Sequence, residues 1–137
     1  MTTGMNVVDS CGWLEYFANG PNADFFAPII ENEKKLIIPQ VVVYEVTRRL
    51  VHQRGEQAAQ LALEFLGRGR LVGLDAAGLY SAAIAAAQYK LAMADALIWQ
   101  TAITHGAQVY TQDADFKDVP KVVYRAKAGT DLRMGNP

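Results

Sequence analysis

The stretch Asn6-Val7-Val8-Asp9-Ser10-Cys11-Gly12-Trp13-Leu14-Glu15-Tyr16-Phe17 sets the frame for the whole chain. Asn6-Val7-Val8 reads as a β-strand, because a short β-branched run bounded by polar residues fits a strand covered on both faces. From about Gly12 to Ala18 the pattern is helical, and it ends at Asn19-Gly20-Pro21, a cluster of helix terminators. Asp9 stands between the two, an acid at the carboxyl end of a strand.

The same unit recurs outward. A helix follows over Asp24–Asn32, and Leu36-Ile37-Ile38 makes a second strand. Pro39 closes that strand and can open the next helix, where its missing N–H would be unpaired anyway. Val42, Val43, Val46 and Leu50 form one stripe of this helix, while Glu45, Arg49 and His52 line a neighbouring face. Gly55 separates it from a helix over Glu56–Leu66. Arg70–Leu74 reads as a third strand and Ala76–Tyr89 as an alanine-rich helix. High propensity and close backbone approach predict that this helix is buried. Met93–His105 is the next helix, stopped by Gly106. Ala107–Thr111 is a strand, Gln112–Asp118 a loop with three aspartates, and Val122-Val123-Tyr124 the last strand. Strands alternating with helices, without a linker or repeat, predict one α/β domain over residues 1–137. Its parallel sheet carries helices on its faces, its core spans about residues 6–124, and its C-terminal tail is irregular.

Composition narrows the class. With 137 residues, 51% hydrophobic and 20% charged, the chain has ample material for a core, which excludes global disorder. A single cysteine, Cys11, excludes a disulfide framework. The first cation is Lys34, so no signal peptide is expected. The apolar stretch Ser81–Trp99 is interrupted by Gln88, Lys90 and Asp95, too short a run to cross a bilayer. A soluble cytoplasmic protein is expected. The net charge of −1 hides segregation: residues 1–33 hold five acids and no Lys or Arg, whereas residues 34–70 hold seven bases against three acids.

The acids in unusual places carry the chemistry. Asp9 and Asp113 each sit just past the carboxyl end of a strand, the edge where ligands bind in open parallel sheets. Asp95 opens a helix but shares a face with Trp99 and Ala102, and Glu45 lies mid-helix beside an apolar stripe. Carboxylates crowded together raise one another's pKa unless a cation compensates them. A hard divalent ion, Mg²⁺ or Mn²⁺, suits an all-oxygen set and works in phosphodiester hydrolysis. Zinc is disfavoured, because His52, His105 and Cys11 show no ligand spacing. Each acid also has an ordinary reading. Asp9 and Asp95 can serve helix N-termini, Glu45 can pair with Arg49, and Asp113, Asp115 and Asp118 can be turn residues. Dinucleotide and P-loop glycine motifs are absent, Ser10 lacks the glycines of a nucleophile elbow, and Cys11 stands where a haloacid-dehalogenase-like phosphatase would need its second Asp.

Taken in order, Val7-Val8-Asp9-Ser10-Cys11-Gly12-Trp13, Val43-Tyr44-Glu45-Val46, Met93-Ala94-Asp95-Ala96-Leu97-Ile98 and Thr111-Gln112-Asp113-Ala114-Asp115-Phe116 resemble the PIN-domain ribonucleases. The similarity is greatest to VapC-type toxins of bacterial toxin–antitoxin pairs and runs from Asn6 to about Tyr124. The resemblance implies a three-layer α/β/α domain with a four- or five-stranded parallel sheet, and RNA endonuclease activity dependent on Mg²⁺ or Mn²⁺. It also implies homodimers and an antitoxin whose segment blocks the acidic site. Asp9, Glu45, Asp95 and Asp113 match the family's acidic set. Asp9, Asp95 and Asp113 are the expected metal ligands, with Glu45 and Asp115 as further candidates, and Thr111 matches the supporting hydroxyl. Arg48, Arg49 and Arg54 are candidates to draw in phosphates. The alternative is a catalytically silent module of the same fold that docks RNA or protein. Setting the four acids aside leaves ten acids against thirteen bases, so the near-neutral total is compatible with a nucleic-acid partner.

Overall fold

The computed structural model describes residues 4–128. Five strands form one sheet: β1 (Met5–Val8), β2 (Leu36–Pro39), β3 (Arg70–Val72), β4 (Ala107–Thr111) and β5 (Val122–Tyr124). Their order is β3-β2-β1-β4-β5 and every pairing is parallel. The central strands are short, β-branched and buried on both faces; Val7, Val8, Ile37, Ile38 and Val109 have no or almost no exposed surface.

Six helices connect them: α1 (Ser10–Phe17), α2 (Ala23–Ile30), α3 (Gln40–Arg54), α4 (Glu56–Leu66), α5 (Ala76–Tyr89) and α6 (Met93–Thr104). The chain steps outward from β1 to β2 to β3, then returns across the sheet to β4. Right-handed crossovers therefore put α1–α4 on one face and α5–α6 on the other, giving three α/β/α layers. The reversal makes a switch point between β1 and β4, where a crevice opens outside the carboxyl ends of the strands.

Most element limits follow the sequence closely, and three departures are informative. Helix α1 starts at Ser10 rather than Gly12, because Asp9 caps it. Strand β3 ends at Val72, short of Leu74. The alanine-rich α5 is not buried: only Ala82 and Ala85 are, while Leu79, Tyr80 and Ile84 are exposed by 48%, 69% and 50%. Its apolar count comes from small side chains around the whole helix, and it packs on α6 as an outer element, so most of that surface stays open. Beyond β5 the Arg125 N–H donates to the Thr111 carbonyl; the expected irregular tail past residue 128 lies outside the described residues.

Gly12 is required by a close approach. A Cβ there would lie 2.6 Å from Val8 Cγ1 and 2.7 Å from Phe26 Cε1, both fully buried. Overpacking of this kind costs about 1–3 kcal/mol. Gly12→Val is expected to lower the urea midpoint by a corresponding amount with an unchanged slope; wild-type stability in that variant would contradict the packing described.

Candidate active site

The switch point gathers the acids. Asp9 leaves β1 with extended backbone and caps α1, its Oδ1 accepting the Gly12 N–H at 2.9 Å. Its Oδ2 accepts from the Thr111 hydroxyl, and the Cys11 thiol donates to the same carboxylate at 3.1–3.2 Å. Thr111 ends β4, and its Oγ1 accepts the Asp113 N–H at 2.9 Å. One hydroxyl thus ties together the two acids that follow adjacent strands. Asp113 in turn caps a short 3-10 turn, Ala114–Phe116, by accepting the Asp115 N–H. Glu45 reaches in from α3, where its Oε1 accepts from Ser10 Oγ at 2.6 Å. Asp95 lies in the first turn of α6, whose N-cap is Ala92.

Asp9, Glu45, Asp95 and Asp113 line a single cleft of about 250 Å³, with Ser10, Cys11, Leu14, Arg48, Arg49 and Lys127 completing its wall. Asp115 does not line the cleft, but carboxylate oxygens of Asp95, Asp113 and Asp115 lie within 4.8 Å of one another. Asp118 is not among the cleft residues. Arg54 opens instead into an adjoining groove. The ordinary readings of Asp9 and Asp113 hold alongside this convergence, since each carboxylate caps a helical turn and also faces the cleft. Among the described residues Glu45 makes no ion pair with Arg49; Ser10 is its partner.

Crowding and burial leave an electrostatic mark. Burial pushes the Asp9 carboxyl up to about 6, helped by the Asp113 charge and opposed by the hydrogen bonds from Thr111, Cys11 and Gly12. Burial likewise pushes Asp95 up to about 7, with the charges of Asp113, Asp9, Glu45 and Asp115 adding to it. The Cys11 thiol is also raised, by burial first and by the Asp9 carboxylate, so it stays protonated at neutral pH and is no nucleophile. The oxygen-only donor set of these carboxylates fits a hard divalent ion.

The sequence does not by itself mark Ser10, Cys11 or Lys127 as site residues. Ser10 and Cys11 had a signal, since they immediately follow Asp9 at a helix start. Lys127 had none, because only the path of the chain after β5 brings it to the cleft.

The family model for the PIN domain matches residues 7–122. The chain belongs to the PIN domain family. Solved structures with the same fold include a toxin–antitoxin complex from Klebsiella pneumoniae, 21% identical over 86% of this chain and 95% of that one, with a TM-score of 0.71. VapBC2 from Rickettsia felis bound to a DNA fragment from its promoter is 18% identical over 89% of this chain and 98% of that one, TM-score 0.66. VapC20 from Mycobacterium tuberculosis, a toxin that cleaves the sarcin–ricin loop, is 17% identical over 85% and 95% of the two chains, TM-score 0.69. Comparison with curated proteins finds no match. In this PIN domain, the four acids quoted from the sequence motifs fall within the family match and around one cleft. Among the described residues no helix is long and apolar enough to cross a membrane.

Proposed function

We propose that this PIN domain is a metal-dependent endoribonuclease acting as the toxin of a toxin–antitoxin pair. The observation that carries the reading is the convergence of Asp9, Glu45, Asp95 and Asp113, from four separate segments, on one cleft at the switch point of the sheet. Asp9, Asp95 and Asp113 would hold Mg²⁺ or Mn²⁺, with Asp115 within reach of the latter two. Such an ion supplies activation of water and stabilisation of charge on the phosphate. The protein's own groups do the rest. Thr111 and Gly12 fix the Asp9 carboxylate from two sides, so that its orientation does not depend on the ion. Ser10 holds one oxygen of Glu45, leaving Oε2 to orient a water and accept its proton. Arg48, Arg49 and Lys127 offset the charge of the approaching phosphodiester.

The toxin assignment draws support from the fold neighbours, two of which are complexes with their antitoxins. A homodimer fits the uncharged, exposed face of α5, where Leu79, Tyr80 and Ile84 lie open. A cytoplasmic location fits a nuclease of this kind. The test is incubation of defined RNA with the protein in Mn²⁺ or Mg²⁺ and in chelator. Fragments are expected only with the ion, and intact RNA under both conditions would overturn the reading in favour of a silent binding module.

A further inference from the structure

Three polar side chains meet behind the site without lining the acidic cleft: Glu15 on α1, Asn22 before α2 and Gln112 after β4. Asn22 and Gln112 are buried, at 4% and 6% exposure. Glu15 accepts the Asn22 N–H through Oε2 at 2.7 Å and Gln112 Nε2 through Oε1 at 3.4 Å. Asn22 Nδ2 then donates to Gln112 Oε1 at 2.9 Å and to the Ala126 carbonyl at 3.0 Å. Both of its amide hydrogens are spent. An asparagine at the residue before a helix ordinarily turns its side chain onto the helix N-terminus. Asn22 holds that position before α2 and makes no capping bond, because its side chain serves β4 and the chain past β5 instead.

What the bond to Ala126 secures is the backbone just before Lys127. The Arg125 N–H donates to the Thr111 carbonyl at 3.0 Å, which extends the β4–β5 ladder past Tyr124. The Arg125 guanidinium packs over the Phe25 ring and pairs with Asp24 at 3.6 Å. Ala126 and Lys127 are exposed, so apolar burial does not hold them. Lys127 nevertheless lines the cleft beside Asp9, Glu45, Asp95 and Asp113. Among the described residues its ammonium is in no ion pair.

We propose that Asn22 is a positioning residue: it acts through the Ala126 carbonyl to hold Lys127 at the cleft, where the ammonium meets a phosphate oxygen of the RNA. Asn22 itself touches neither the ion nor the strand. Two physical arguments support the assignment. Four carboxylates in one cleft repel an anionic backbone, so a cation fixed in their wall offsets that field where it is strongest. A lysine on free chain also loses backbone and side-chain freedom when it closes on a phosphate, and a backbone anchored beforehand removes part of that cost. The inference rests on the nuclease reading for its substrate, but its test reads binding and coupling, so the two can fail separately.

The experiment measures binding of a fluorescent RNA oligonucleotide without internal pairing to the full chain carrying Asp9→Asn, which silences cleavage, across a salt series. Adding Lys127→Ala is expected to reduce the slope of log affinity against log salt by about 0.7, the loss of one phosphate contact to an unpaired strand. Asn22→Leu, similar in size and without a donor, is expected to reduce the slope by the same amount, and the two together by no more than either alone. Lys127→Arg keeps the charge and should keep the slope. Asn22→Leu is also expected to lower the melting temperature equally with and without Lys127→Ala, because the bond it removes goes to the backbone. Should Asn22→Leu fail to fold, Asn22→Ser makes the same comparison. An unchanged slope in the Asn22 variant, or reductions that add in the double variant, would leave Asn22 a structural residue and overturn the proposal. An unchanged slope in Lys127→Ala would overturn it too, by removing the contact through which Asn22 acts. Failure of the wild type to cleave, with the coupling present, would strike the nuclease reading and leave the positioning role in RNA binding standing.

Discussion

Asp9→Asn is expected to abolish ion-dependent RNA cleavage while leaving the protein as stable as the wild type or more so. The side chain is isosteric, so its Oδ1 still accepts the Gly12 N–H that starts α1. What changes is charge, together with the bond from Thr111, whose hydroxyl donates to Oδ2 in the wild type and must turn to accept from the amide instead. Loss of a partner that merely orients a metal ligand typically costs 10–100-fold, so loss of a ligand itself is expected to exceed about 100-fold in kcat. Stability moves the other way, because Asp9 is 3% exposed and its carboxyl is raised to about 6 by burial. Above that pH the folded chain without an ion carries a buried anion that the amide removes. Thermal melting in chelator at pH 8 is expected to give Asp9→Asn a midpoint equal to or above that of wild type. Wild-type cleavage by the variant would sink the assignment. A collapsed melting curve would mean instead that the capping bond depended on the full carboxylate, and Asp113→Asn would then repeat the test at a residue that takes no part in the α1 cap.

How far the sequence announced this site varies by residue. Asp9 and Asp113 were legible because a short apolar run fixes a strand, and the residue after it inherits a position at the sheet edge. Asp95 was legible from helical spacing, which sets it among apolar neighbours. Glu45 was legible as an acid beside an apolar stripe, but its partner was not: Ser10 lies 35 residues away, and the bond exists only because α1 and α3 pack together. Arg49 offered itself as the obvious local partner and does not serve as one. Alanine content misjudged α5. A helix made largely of alanine looks buried by composition, yet a stripe of small side chains needs little cover, and the helix lies outermost. Lys127 marks the limit of such reading, since its place depends on a buried asparagine more than a hundred residues earlier in the chain.

The divalent ion and the proton are expected to compete for the same carboxylates, which makes stability depend on pH in opposite ways with and without the ion. Asp9 and Asp95 have folded pKa values of about 6 and about 7, above the ordinary value of 3.8. Between about pH 4 and pH 7 the folded chain therefore holds more protons than the unfolded one, and its stability falls as pH rises. The contribution is complete below about pH 4 and lost once pH passes 7. In chelator, the melting temperature is expected to be several degrees higher at pH 5 than at pH 8. Millimolar Mn²⁺ should reverse this, since an ion present at 100 times its Kd stabilises by about 2.7 kcal/mol where the carboxylates are free, and by far less where protons hold them. Asp95→Asn removes the group with the higher pKa and should flatten both trends. An Mn²⁺ shift of equal size at pH 5 and pH 8, unaltered in Asp95→Asn, would show that the ion binds elsewhere. Cleavage should likewise rise with pH, as the two acids lose their protons to solvent and the ion takes their place.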